Sequence, residues 1–211
     1  MAQELTAEQV SAMLKAVAQS VIENVDVLTD ADLATGDGDH GIGMRRGFEA
    51  ALEALDAAQD LTVEDAFKKT GMAIMSKTGG AAGAVFGTFF RGGASAFANA
   101  DTLNAERFAN FLSKSAAAVS KRGGVEEGAK TMVDAVAPAA RAVEKVSDGD
   151  LGAVFAAAEQ GALEGVEATK AMIATTGKAR SLGERSIGHP DPGAISVSII
   201  VAAMNSYNAA L

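Results

Sequence analysis

Asp191-Pro192-Gly193-Ala194-Ile195-Ser196-Val197-Ser198-Ile199-Ile200-Val201-Ala202-Ala203-Met204 is the stretch of this chain that reads in two ways. The alternation from Ile195 to Ile199 suits a strand with apolar residues on one face and serines on the other. Asp191, however, is a preferred N-cap, Pro192 fits the first helical position, and the alanines that follow favour helix. The helical reading prevails. With it the whole chain becomes helical, because almost no strand pattern appears elsewhere.

Working outward, Thr6 and Gln9 form a capping box ahead of Val10, Met13, Leu14, Val17, Val21 and Ile22, an apolar stripe at helical spacing. That helix is expected to stop near Thr29, where an acidic loop begins. Further helices are expected from about Gly41 to Ala58, from Thr62 to Lys77 and from Val85 to Ala98. Others should run from Asn104 to Gly123-Gly124, from about Gly128 to Val146, and from Asp150 to near Thr176. With the helix after Asp191 these make about eight, an all-α bundle in one domain over residues 1–211. The glycines cluster in four connections, 36–43, 79–83, 123–128 and 177–193. Loops at alternating helix junctions fall at one end of an antiparallel bundle, where a site forms.

Composition excludes several classes. Hydrophobic residues make up 48% of the 211, enough for a full core and too many for disorder. A formal net charge of −9 disfavours nucleic acid, whose footprint is a basic face. There is no cysteine, so disulfides, thiolate metal sites and cysteine nucleophiles are excluded. The start, Met1-Ala2-Gln3-Glu4, shows no basic or apolar leader, and the run Ile195–Met204 is about half a bilayer span. The expectation is a cytoplasmic protein that touches neither membrane nor nucleic acid.

The chemistry sits in the loops. Asp32, Asp37 and Asp39 place three carboxylates inside eight positions, interleaved with Gly36, Gly38 and Gly41. Such a cluster repels itself unless a cation sits among the oxygens, and hard oxygen donors select Mg²⁺ or Ca²⁺ over zinc. The plainer alternative is a solvated Asp-Gly turn. Thr78-Gly79-Gly80-Ala81-Ala82-Gly83 precedes a helix whose free amides and dipole attract anions. It lacks the Gly-Lys-Ser/Thr ending of a P-loop, and tight helix packing is its alternative. Both histidines, His40 and His189, fall inside these glycine-rich motifs. Gly128-Ala129-Lys130-Thr131-Met132 adds a cation and a hydroxyl at an expected helix start.

Taken together, Gly36-Asp37-Gly38-Asp39-His40-Gly41, Gly79-Gly80-Ala81, Phe86-Gly87-Thr88-Phe89-Phe90, Lys130-Thr131-Met132-x-Asp134 and Gly183 through Ala194 resemble the L subunit of dihydroxyacetone kinase. The order and spacing hold from about residue 6 to the end. The resemblance implies a barrel of eight antiparallel helices with a nucleotide capping one end. It implies two Mg²⁺ on Asp32, Asp37 and Asp39, bridging to the phosphates of ADP or ATP. The implied nucleotide shell is His40, Gly41, Ile42, Gly43, Gly80, Ala81 and Ala82, then Gly123, Met132, Lys178, Asp191, Pro192 and Gly193. No residue need act as a nucleophile, since phosphoryl transfer asks mainly for positioning and charge neutralisation.

The same resemblance implies a separate ketose-binding K subunit and a phosphocarrier M subunit of the phosphotransferase system that recharges the bound ADP. Alternatives within it are an ATP-exchanging subunit of a split ketose or tetrulose kinase, and a non-catalytic adaptor docking to a transcriptional regulator. The related module of fatty-acid kinases fits less well, because His40 stands where Thr is common there. Four positions depart from the L-subunit pattern: Gly43 for Asn, Ala82 for Ser, Lys178 for Arg and Ser181 for Tyr.

Overall fold

The computed structural model describes residues 2–146 and 149–211. Nine α-helices are present among them: α1 (Ala7–Glu23), α2 (Val25–Thr35), α3 (His40–Asp56), α4 (Val63–Lys77), α5 (Gly80–Gly93), α6 (Ala105–Gly123), α7 (Val133–Glu144), α8 (Leu151–Thr169) and α9 (Pro192–Ala209). Short 3-10 segments cover Ala94–Phe97 and Lys178–Ser186. Two three-residue strands, β1 (Glu4–Thr6) and β2 (Thr102–Asn104), complete the list. The all-α class is confirmed. No helix is long and apolar enough to cross a membrane, among the described residues.

Local chemistry sets most of the helix starts. Thr6 Oγ1 accepts from Gln9 N at 3.3 Å while Gln9 Oε1 accepts from Thr6 N at 2.9 Å, closing the capping box on α1. Thr62, Asn104, Asp150 and Asp191 cap α4, α6, α8 and α9 in the same way with one side-chain oxygen each. At α9 the strand-like alternation disappears into burial. Ser196 and Ser198 turn their hydroxyls back onto the carbonyls of Pro192 and Ile195, so the serines sit inside the protein beside Val197 and Ile200.

Four expected helices differ in their bounds. The one expected from Val85 to Ala98 runs from Gly80 to Gly93, because the chain turns into it at Gly79 and Gly80, both with positive φ. The first helix ends at Glu23, where Asn24 departs from helical geometry (φ −98°, ψ 16°) and its Nδ2 shares the Ser20 carbonyl at 2.8 Å. Its expected tail becomes α2, which carries Asp32 on its last turn. The helix expected from Gly128 starts only at Val133, since Gly128 (φ +98°) and Lys130 (φ +62°) are left-handed. The helix expected to reach Thr176 stops at Thr169.

Helices α1, α3, α4, α5, α6, α7, α8 and α9 each pack on the next in that order, and α9 returns to α1. Helix α2 lies against α3. All nine phenylalanines are buried, with rings as close as 4.5 Å (Phe108–Phe155) and 4.6 Å (Phe67–Phe111). They are core, and none is left on the surface as a stacking platform. Helix α7 packs extensively on α8. Pro138 inside α7 has no N–H, so the Asp134 carbonyl is released from the ladder. It faces Gly165, where a Cβ would lie 2.1 Å from that oxygen.

Candidate metal centre and adjoining cavity

The connection from α2 to α3 gathers the three carboxylates. Ligating atoms of Asp32, Asp37 and Asp39 all lie within 4.8 Å of one another. Asp32 is buried on α2 and its Oδ2 accepts from the His40 amide at 3.1 Å, while Asp37 and Asp39 are exposed. The tight path depends on glycine: a Cβ on Gly36 would lie 2.3 Å from Asp32 Oδ1, and Gly38 sits at φ +77°. Lys178 Nζ reaches across to both Asp37 oxygens at 2.5 Å and to Asp39 Oδ2 at 2.9 Å. That ammonium holds the Asp37 carboxyl below the usual carboxylate range, and the two aspartates push the lysine upward in turn. The donor set fits Mg²⁺ or Ca²⁺: three hard oxygens and no sulfur, in a cluster that already draws a cation.

His40 opens α3 directly behind the triad. Its Nε2 lies 2.8 Å from Ser196 Oγ on α9, and its ring faces Phe86 at 6.0 Å. Burial lowers its pKa, against the pull of Asp32 and Asp39, so the imidazole is neutral at pH 7.

Beside the triad opens a cavity of about 410 Å³. All four glycine-rich connections contribute to its wall, through Gly43, Gly79 to Ala82, Gly123, and Gly177 with Asp191 to Gly193. Gly79 (φ +80°) and Gly80 (φ +56°) turn the chain into α5, whose N-cap has no side-chain partner for the first amides. Those amides stand at the start of a 14-residue helix, a position whose free N–H groups and dipole can receive an anion. Arg46 lines the same wall and donates to Thr78 O at 3.2 Å. Thr78 Oγ1 is buried there without a partner. Val85, Phe86, Val119, Val125, Met132 and Pro192 give the cavity an apolar stretch of wall.

Across the cavity Asp134 splints the turn before α7, accepting from Gly128 N at 2.5 Å and from Thr131 N at 2.7 Å. Asp191 caps α9 through Ala194 N at 2.8 Å, and burial pushes its carboxyl up to about 7.

The structure therefore brings together Asp32, Asp37, Asp39, His40, Gly43, Gly80, Ala81, Ala82, Gly123, Met132, Lys178, Asp191, Pro192 and Gly193. Two expected site residues stand elsewhere. Gly41 packs against α2, where a Cβ would meet Thr29 Oγ1 at 2.2 Å, and Ile42 points outward, 53% exposed. Lys178 lines the cavity but spends its charge on the carboxylates. His189 is exposed, and only its carbonyl is used, by Lys130. Arg46 was not among the expected site residues, and Lys130, expected as a cation at a helix start, lay outside the implied nucleotide shell. Arg46 was legible as the third member of a helical stripe, Asp39, Gly43, Arg46, at spacing i, i+4, i+7.

Residues 34–206 match the family described as the DAK2 domain. The chain is 38% identical over 188 residues to the PEP-dependent dihydroxyacetone kinase 1, ADP-binding subunit DhaL, of Listeria innocua, covering 88% of this chain and 89% of that protein. It is 39% identical over 178 residues to the corresponding DhaL subunit of Escherichia coli, covering 83% and 85%. The fold is similar to that of the dihydroxyacetone kinase from C. freundii, solved in complex with AMP-PNP and Mg²⁺, with a TM-score of 0.70 at 24% identity. That likeness spans 93% of this chain and 33% of the larger one.

Proposed function

This chain belongs to the DAK2 domain family and stands with its DhaL subunits, and from that premise we propose that it is the ADP-binding L subunit of a dihydroxyacetone kinase. It is then a phosphotransferase component that passes a phosphoryl group from its bound nucleotide to a ketone held on a separate K subunit. The observation that carries this reading is the acidic triad, its ligating atoms within 4.8 Å, set at the edge of a cavity lined by α5's free amides.

Asp32, Asp37 and Asp39 would hold a pair of Mg²⁺ ions at the phosphate tail. Bound there, the metal draws negative charge off the phosphate oxygens and aligns them for transfer. The chain's own residues do the rest. The amides of Gly80, Ala81 and Ala82 receive phosphate oxygens, with the α5 dipole behind them. Arg46 adds a cation on the same wall. Val125, Met132 and Pro192 take the base against an apolar surface and keep water from it. Lys178, which bonds Asp37 and Asp39 in this structure, would yield those oxygens to the metal and turn its ammonium to the phosphates at the mouth.

The names of the DhaL relatives support a PEP-driven phosphocarrier M subunit as the source of the phosphoryl group, with ADP kept in place. One observation favours a second reading, in which ATP exchanges each turnover. Gly43 lines the cavity with no side chain, where the L-subunit pattern has an amide to hold the nucleotide. Docking to a transcriptional regulator is compatible with either.

The test is to desalt freshly purified protein, denature it and chromatograph the released nucleotide, then reconstitute it with K subunit and dihydroxyacetone. Near-stoichiometric ADP and product formed only with phosphocarriers support the first reading. Empty protein and product formed with ATP support the second. No product with either donor would overturn the kinase assignment.

A further inference from the structure

Lys130 is 3% exposed, and it holds a left-handed backbone (φ +62°) that a residue with a Cβ adopts only at a cost. Its ammonium donates to three carbonyls, Thr169 O at 2.6 Å, His189 O at 2.6 Å and Met172 O at 3.3 Å. These acceptors come from the last residue of α8, the turn after it, and the loop ahead of α9. An ammonium has three protons, and here all three are directed at main-chain oxygens. No carboxylate bonds it among the described residues, although Asp134 and Asp191 lie within electrostatic reach. Burying a lysine in this way is costly unless the acceptors are well placed. Strain and a buried charge at one residue, on a cavity wall, are features that collect where a site is held in shape.

A second tie runs beside the first. Thr169, fully buried, accepts the Asp191 amide on Oγ1 at 3.0 Å, and Gly188 N bonds Lys170 O at 2.7 Å. The segment 188–193 is therefore fastened to the end of α8 at several points. Asp191, Pro192 and Gly193 emerge from that fastening directly into the cavity.

We propose that Lys130 is a positioning residue: by clamping the end of α8 to the loop ahead of α9, its ammonium fixes the wall that Asp191, Pro192 and Gly193 present to the nucleotide. This rests on the nucleotide reading of the cavity. The test titrates ADP with Mg²⁺ into wild type, Lys130→Met and Lys130→Gln, and follows amide hydrogen exchange in each. Lys130→Met is expected to weaken ADP at least about tenfold, from buried carbonyls left without a donor. The amides of Gly188 and Asp191 exchange faster in it, while Val201 inside α9 stays as protected as in wild type. A purely structural loss would move all of α9 together and leave ADP affinity of the folded protein unchanged, and that result overturns the proposal. Should Lys130→Met not fold, Lys130→Gln, whose amide can supply at most two of the three donated bonds, takes its place, and an unchanged ADP affinity there overturns the proposal equally. If wild type itself binds no ADP, the nucleotide reading fails, and the exchange rates at Gly188 and Asp191 alone decide on the clamp.

Discussion

His40 and Ser196, 156 positions apart, meet with Nε2 2.8 Å from Oγ. Because the serine hydroxyl donates to Pro192 O at 3.0 Å, it must accept from the ring, which fixes the Nε2–H tautomer. Nδ1 is left as an acceptor. Ser196→Ala strands a buried donor and is expected to cost about 1–2 kcal/mol in urea unfolding. ¹⁵N shifts of His40 should show Nδ1 unprotonated in wild type, with that bias weakened in the variant. A tautomer reversed in wild type would refute the pairing.

Asp37→Asn removes a carboxylate that no other group replaces. The Mg²⁺-dependent affinity for ADP should fall by about 100-fold or more, with the far-UV circular dichroism unchanged. EDTA should likewise lower the thermal midpoint of ADP-loaded wild type, since a ligand bound only to the native state stabilises it. ADP affinity indifferent to both treatments would sink the metal assignment.

Asp191 imposes a pH dependence of definite sign. Burial raises its carboxyl from 3.8 to about 7, so the folded protein keeps a proton that the unfolded chain releases. Its contribution is fully present below about pH 4 and is lost as the pH rises through 7. Asp191→Asn keeps a competent N-cap and removes the titration. Urea unfolding across pH should show the variant gaining on wild type from pH 4 to 7 and running parallel above. A constant offset would contradict the burial of that carboxyl.

Gly165→Ala tests the α7–α8 contact. Its Cβ has nowhere to go beside the Asp134 carbonyl, so the helices must part, at a cost of about 2 kcal/mol. A thermal melt should fall by roughly 4–8 °C. A melt within a degree of wild type would show that the pair has slack.

Legibility in the sequence followed the range of the interactions. Asp191, Thr6 and Thr62 announce helix starts because the cap and its partner lie three residues apart. The acidic triad was readable for the same reason, being packed into one loop. Asn24 caps the end of α1 with its side chain on the Ser20 carbonyl, yet asparagine inside a helical stripe gives no such signal. Lys130 is harder still. Its left-handed backbone only makes sense beside carbonyls 39, 42 and 59 residues away. Gly41 and Gly36 look identical in the motif, but the first is kept small by Thr29 and the Val25 carbonyl early in α2 and the second by the Asp32 carboxylate on its last turn.

The two short strands hold a consequence of their own. Leu5 pairs with Leu103, joining the start of α1 to the start of α6. In the circuit of eight helices those two stand half-way round from each other, so the ribbon acts as a strut across a hoop. It braces the rim remote from Gly123, at the other end of α6. The ribbon ties the helix ends together at that rim. The opposite rim, where the acidic loop and the Lys178 segment face each other, has no such ribbon among the described residues and is joined there by the ion pairs of Lys178 with Asp37 and Asp39.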